Sequence, residues 1–537
     1  MQAVPFSHLP VWRSPFYFIS RLVLTMKFAG SLVTLLALGT CSEALPAPAA
    51  LPAQSTCPAK AIQALRGVFR ANQVVQEGAA AYEDINESYL SNLNNDLTPA
   101  AVVLPDSSAD VAKFVRTLRP YALSGQAYFA IKGAGQQPLP ACNNIEEGIT
   151  LDLRNLTGIQ VDQAKGVVSV GAGVRWATVY EVLEPLGLAV TGGRSGPGGI
   201  GGLSLSGGLS FFSSREGFIT DNIVEFEVVL SSGQIVRAND KENSDLYRAL
   251  RGGGNNFGIV TKFTLRTFEQ GPFYGGSVYY FPPSFPSQID ALVNELTKPD
   301  PTPESHLMLS IGYSAAFAQL GGTLALNQVY YTREEENPEV LRPFTEVQPQ
   351  LDFLNSMRNL TLVSATSEQT SQNTDAQRVA YMNIHVKADA ATLKYAADAY
   401  LAGIQPIQDA ANITLSFTLQ PYAVSLLEKT SFKGGNSLGL SPADGPIVSV
   451  LFLTWWQEES DDERIISTLR GVLESIDTEA KARKTSLPFV YMNYAHTFQD
   501  PINSYGKSNK AKLQLASLKY DKLRLFQNDV PGGFKLF

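Results

Sequence analysis

Gly198-Gly199-Ile200-Gly201-Gly202-Leu203-Ser204-Leu205-Ser206-Gly207-Gly208 sets six glycines in eleven positions between two stretches of regular structure. Upstream, Trp176 to Glu184 reads as a helix stopped by Pro185 and Gly187, and downstream Ile223 to Leu230 and Gln234 to Arg237 flank Ser231-Ser232-Gly233 as a hairpin. Two further clusters share this block: Lys132-Gly133-Ala134-Gly135-Gln136-Gln137 and Gly252-Gly253-Gly254-Asn255-Asn256-Phe257-Gly258-Ile259-Val260. Glycine lets backbone N–H groups approach an anion closely, because no Cβ intervenes and positive φ is allowed. One such cluster alone reads more simply as a tight turn; three together point to a pyrophosphate. None follows the Rossmann order of strand, G-x-G-x-x-G opening a helix, and an acidic residue about 20 positions on, which disfavours a nicotinamide dehydrogenase.

Outward from the glycine turns the grammar is α+β. Ala101 to Leu104, Tyr128 to Lys132, Ile149 to Leu153 and Val167 to Val170 read as short strands. Ser107-Ser108-Ala109-Asp110 caps a helix expected to run through Leu118, Asp245 to Arg251 reads as a short helix, and Phe257 to Thr267 as a long strand. Residues 275–480 change texture, with longer strands at Leu307 to Tyr313, Leu324 to Tyr331, Arg378 to Val386 and Val448 to Trp455, and a helix at Asp461 to Ser475. The expected organisation is a signal region (1–45), an N-terminal segment (46–96), a first domain (97–270), a second α+β domain (271–484) and a C-terminal part (485–537) returning to the first.

The chain of 537 residues carries 42 Lys+Arg against 50 Asp+Glu, a formal charge of -8 without a basic block, which leaves nothing to neutralise a nucleic-acid backbone. Met26-Lys27, the apolar run Phe28 to Thr40 and the small residues Ala44, Ala47 and Ala50 follow the order of a secretory signal, with Met26 as an alternative start. The apolar run falls short of the ~20 residues of a membrane span, so no stable anchor is expected. Sequons at Asn86, Asn155, Asn359 and Asn412 are glycosylation candidates in a secreted chain. Of three cysteines Cys41 would leave with the signal; Cys57 and Cys142 remain, paired or free. The four histidines (His8, His306, His385, His496) lie far apart, and no metal-ligand spacing is present.

Beyond the glycine turns, Asn143-Asn144-Ile145, Val170-Gly171-Ala172-Gly173, Ser210-Phe211-Phe212, Asp221-Asn222, Tyr491-Met492-Asn493-Tyr494 and Val530-Pro531-Gly532-Gly533-Phe534-Lys535-Leu536 occur in the order that resembles the berberine-bridge-enzyme-like FAD-linked oxidoreductases of the vanillyl-alcohol-oxidase fold, fungal secreted members above all. The resemblance runs from about residue 97 to the C-terminus. It implies a two-part FAD-binding domain and an α+β substrate domain with an antiparallel sheet over the flavin. It also implies that Lys132 to Gln137 and the Gly198 to Gly208 loop (Gly198, Gly199, Gly201, Gly202, Leu203, Gly207, Gly208) cradle the pyrophosphate. Asn256, Gly258, Ile259 and Val260 would then follow the adenine and ribose, and Asn493 would lie near the flavin ring.

Two departures bear on the chemistry. Many members tether the flavin through a histidine where Gln136 stands, and some add a cysteine where, within one residue, Ser195 stands. An amide and a hydroxyl form neither bond, so FAD is expected to be non-covalent. Relatives also often carry a cysteine at the position of Ala101, so Cys57 cannot pair there. Flavin oxidation of a small organic substrate, a secondary metabolite or a carbohydrate, needs a base for the proton left on the substrate heteroatom. Tyr494 is the candidate. An unperturbed phenol, near pKa 10, requires a neighbouring cation for that task. His496 stands where relatives commonly carry an acid and could supply charge or face solvent. Trp455 or Trp456, Tyr330, Tyr331 and Tyr381 are candidate pocket walls. O2 is a candidate electron acceptor. A redox-silent flavin protein and a flavin-supported cyclase are the competing functions.

Overall fold

A computed structural model describes residues 58–370 and 378–537; the signal region and Cys57 lie outside them. Two sheets build the first half. Val74–Val75, Ala101–Val103, Ile149–Asp152 and Phe129–Lys132 lie side by side in that order, with the last three parallel. Ile159–Asp162, Val167–Gly171, Ile259–Arg266, Ile223–Val229 and Ile235–Asn239 form an antiparallel sheet of five. Their common core takes in Phe489, Tyr491, Met492, Leu513, Phe526 and Leu536, so the end of the chain packs among the first strands.

An eight-stranded antiparallel sheet forms the other half, in the order Arg358–Leu360, Phe273–Tyr280, Thr323–Tyr331, Ser305–Ser314, Thr414–Tyr422, Ile447–Trp456, Arg378–Lys387 and Ser486–Leu487. Period-2 alternation sorts its faces. Leu307, Leu309 and Ile311 with Leu415, Phe417 and Leu419 pack under the helices Phe285–Thr297, Ala390–Gly403 and Asp462–Ala482. His306, Met308 and Ser310 with Ser416, Thr418 and Gln420 consequently point to the opposite face. Because Ser486–Leu487 still pairs with this sheet, the chain leaves it slightly later than residue 484.

Two helices outrun their expected ends for identifiable reasons. Ser108–Leu123 continues past Leu118 through Pro120, whose ring is exposed while Leu118 and Ala122 are buried on the opposite side. Ser107 caps it by accepting from the Asp110 N–H at 3.1 Å. Asp462–Ala482 extends beyond Ser475 because Ile476 and Ala480 prolong the buried stripe of Ile465, Leu469 and Leu473 at helical spacing.

The sequons divide. Asn155, Asn359 and Asn412 are exposed. Asn86 is buried, its Nδ2 donating to the carbonyls of Asn95 and Leu97 at 2.9 and 3.0 Å while its Oδ1 accepts from Asn144, which removes it from the glycosylation candidates in the folded chain.

Candidate functional site

The parallel strand Phe129–Lys132 runs into the turn 133–137, where Gly135 takes φ +71°. The five backbone N–H groups from Gly133 to Gln137 have no acceptor among the described residues. Opposite, the N–H groups of Gly199, Gly201 and Gly202 are likewise without acceptors, whereas that of Gly198 bonds the Ser195 carbonyl at 3.2 Å and that of Ile200 the Val174 carbonyl at 3.1 Å. Arg175 holds the two turns together by donating to the carbonyls of Pro197 and Ala134. A Cβ on Gly199 would stand 2.6 Å from Ala134 Cβ, so glycine alone allows this approach. At Gly133 and Gly201 a Cβ would meet nothing nearer than the Ala172 carbonyl, at 3.9 and 3.7 Å. Converging free N–H groups beside open space suit a diphosphate, the group by which FAD would be held.

Not every expected contact is available there. Gly207 and Gly208 take φ +108° and +82°, yet a Cβ on them would strike the Tyr491 ring and Ile219, which makes them packing glycines. Lys132 is buried; its ammonium bonds Ser88 Oγ at 2.7 Å and the Ile85 carbonyl at 2.9 Å, pairs with Asp152 at 3.4 Å and lies over the Tyr89 ring. Burial pulls its pKa down to about 8 against the opposing pull of Asp152. Asn256 donates to the Gly253 and Phe534 carbonyls at 2.8 and 2.9 Å and accepts from Gln527, so it fastens the C-terminal tail. At both positions only main chain is left for a ligand. Gly258 closes on Val228 and Val229, and Ile259 and Val260 are buried in the strand Ile259–Arg266. The Gln136 and Ser195 side chains make no hydrogen bond among the described residues.

Asn493 ties the returning C-terminal segment to both turns. Its Nδ2 donates to the carbonyls of Leu203 and Ser206 at 3.2 and 3.1 Å, and its own carbonyl accepts from Gln137 Nε2 at 3.2 Å. The next residue, Tyr494, meets the eight-stranded sheet. Arg194 Nη2 donates to its phenolic oxygen at 2.7 Å, and the phenol donates to Gln420 Oε1 at 3.4 Å. Arg194 Nη1 lies 3.3 Å from His306 Nε2 and beside the Met308 sulfur. Desolvation, then Arg194, hold the His306 pKa well below 6.5, so the ring is neutral, its Nε2 accepts, and its proton sits on Nδ1. The cation that a phenol needs is thus present on Arg194, the neighbour of the tether position Ser195 and a residue to which the sequence alone gives no role. Among the described residues Arg194 has no carboxylate partner.

Three tyrosines crowd Tyr494: Tyr491 with its ring centroid 4.9 Å away, Tyr381 at 6.0 Å, and Tyr422 next to Tyr491. Burial raises the pKa of all three, keeping them neutral. His496 neither faces solvent nor supplies charge: it is buried, and desolvation drives its pKa down to about 4. Alternation resolves the tryptophans. Trp456 is in the helix-covered core and donates to Asp462 at 2.7 Å, whereas Trp455 is half-buried on the other face, 6.3 Å from Tyr381. Tyr330 is buried against Phe211, and Tyr331 joins the core on the far side. Of the candidate wall residues, Tyr381 therefore lies beside Tyr494, with Trp455 next to Tyr381 on the same face.

The FAD binding domain family matches residues 99–239. FAD-dependent monooxygenase tpcD of Cochliobolus heterostrophus is 36% identical over 449 residues, 82% of this chain and 85% of the relative. Xylooligosaccharide oxidase from Myceliophthora thermophila superposes with a TM-score of 0.71 at 18% identity, covering 89% of this chain and 99% of that one. Glucooligosaccharide oxidase from Acremonium strictum, described with a 6-S-cysteinyl, 8α-N1-histidyl FAD, gives 0.69 at 18% identity over 86% and 97% of the two chains. With both glycine turns, the returning C-terminal segment and the covering sheet in place, the chain belongs to the FAD-linked oxidoreductases of the berberine-bridge-enzyme-like, vanillyl-alcohol-oxidase-fold family.

Proposed function

We propose that this oxidoreductase holds FAD without a covalent bond and removes a hydride from a small organic molecule, with Tyr494 receiving the proton of the substrate hydroxyl. Bound FAD supplies the hydride acceptor. The observation that carries the reading is the Arg194–Tyr494 pair, set where the glycine turns, the C-terminal segment and the sheet converge. The free N–H groups of residues 133–137 and of Gly199, Gly201 and Gly202 would hold the diphosphate; Asn493 fixes the turns relative to Tyr494; the sheet face excludes water. Gln136 and Ser195 stand where a flavin tether of the cysteinyl and histidyl kind would need other side chains.

The monooxygenase name of the fungal relative supports a reaction in which O2 takes part; a secondary metabolite is the substrate we propose from the family resemblance, with a carbohydrate, the substrate of the oligosaccharide oxidases, as the second choice. The signal-like order at the N-terminus supports passage through the secretory pathway, where Asn155, Asn359 and Asn412 are exposed to glycosylation. Among the described residues no helix is long and apolar enough to cross a membrane. Anaerobic mixing of the holoprotein with candidate alcohols, phenols and sugars tests the reading. A true substrate bleaches the yellow flavin; a protein that binds each class without bleaching is the redox-silent alternative.

A further inference from the structure

We propose that the helix Lys507–Tyr520 and the turn that follows it dock this protein reversibly on an anionic lipid surface. The helix buries one side only: Leu513, Ala516 and Ser517 face inward, and Leu525 and Phe526 after the turn join the same core. Leu515 and Leu518, three positions apart, stand on the opposite side, 67% and 41% exposed. Leu523 in the turn is 57% exposed and Phe537 50%. These side chains are neighbours. Gln514, one helical turn before Leu518, donates to the Leu536 carbonyl at 2.8 Å, and the Arg524 guanidinium lies 4.3 Å from the centre of the Phe537 ring. Apolar side chains so exposed contribute little to folding, and gathered in one place they mark a surface that binds something else.

Charge selects the occupant. Lys507, Lys510, Lys512, Lys519, Lys522 and Arg524 set six cations in 18 residues against one acid, Asp521, in a protein of net charge -8. Asp521 does not neutralise them: it is buried, its carboxylate accepting from the Leu525 and Phe526 N–H groups at 2.9 and 2.8 Å. Lys519 pairs with Asp245 at 2.6 Å and Lys510 bonds Asn503 at 2.7 Å. Lys507, Lys512 and Lys522 are exposed and have no acidic partner among the described residues. Protruding leucines interleaved with long lysines match the headgroup layer of a membrane, where the apolar groups enter the acyl boundary and the ammonium groups reach lipid phosphates and carboxylates. A folded acidic partner would instead need a pocket for each protruding side chain.

Flotation of the FAD-loaded full chain with vesicles tests this, using phosphatidylcholine alone or with about 30% phosphatidylserine. The floated fraction should be at least ~10-fold larger with the anionic vesicles at ~0.05 M salt, and should drop to the phosphatidylcholine level at ~0.5 M. One triple variant combines Leu515→Gln, Leu518→Gln and Leu523→Gln; another combines Lys507→Gln, Lys512→Gln and Lys522→Gln. Each should lower flotation ~10-fold or more, while flavin absorbance and thermal stability, which exposed positions hardly affect, stay at the parental values. A parent protein that remains in the soluble fraction with anionic vesicles overturns the proposal, as does flotation that survives both triple variants. Self-association through these leucines without flotation, read by light scattering on the same samples, would overturn it in favour of a second copy of the chain as the occupant.

Discussion

Tyr494→Phe should slow flavin reduction by ~10² or more while leaving FAD content and thermal stability nearly unchanged. The substitution deletes one oxygen and keeps the ring that packs against Tyr491 and Tyr381. Lost with it are the Arg194 bond and the proton acceptor, and a hundredfold loss corresponds to about 2.7 kcal/mol of transition-state stabilisation. Rapid anaerobic mixing measures the rate on parent and variant under identical conditions. If the Phe variant reduces its flavin as fast as the parent across roughly pH 5 to 9, Tyr494 is not the base, and a mechanism in which the substrate arrives already ionised takes its place.

The second large effect is expected at Gly133. A side chain there meets no protein atom nearer than the Ala172 carbonyl at 3.9 Å, so Gly133→Leu should fold. Its isobutyl group would fill the space between the two sets of free N–H groups. FAD affinity should fall by at least ~100-fold, about 2.7 kcal/mol, giving a colourless soluble protein with an unaltered circular dichroism spectrum. Gly199→Leu is the useful contrast, because its Cβ would already collide with Ala134 at 2.6 Å and should disturb the fold as well. A yellow Gly133→Leu protein of parental affinity would place the diphosphate elsewhere.

How far the sequence could be read depended on the range of each interaction. Glycine turns, strand alternation and the Ser107 cap are local, and all stand out from neighbours in the chain. The ends of the helices Ser108–Leu123 and Asp462–Ala482 were less legible, because burial on one face outweighed the local signals at Pro120 and after Ser475. Side-chain commitments were not legible. Lys132 and Asn256 stand at positions suited to ligand contact, but one is drawn into a buried pair with Asp152 and the other fastens Phe534. Asn86 satisfies the sequon and is locked by Asn95, Leu97 and Asn144. Arg194 gives no sequence signal of its role, since its partners His306, Gln420 and Tyr494 are 112 to 300 positions away and meet it only through the sheet.

The central claim, FAD held by main-chain hydrogen bonds and burial alone, is tested most directly by denaturing the purified yellow protein with acid or heat and separating pellet from supernatant. With Gln136 and Ser195 in the tether positions, all of the flavin should appear in the supernatant as intact FAD, and the peptides covering 132–137 and 193–208 should have their unmodified masses. Flavin that remains with the denatured pellet, or a peptide carrying the mass of a flavin adduct, would contradict the account.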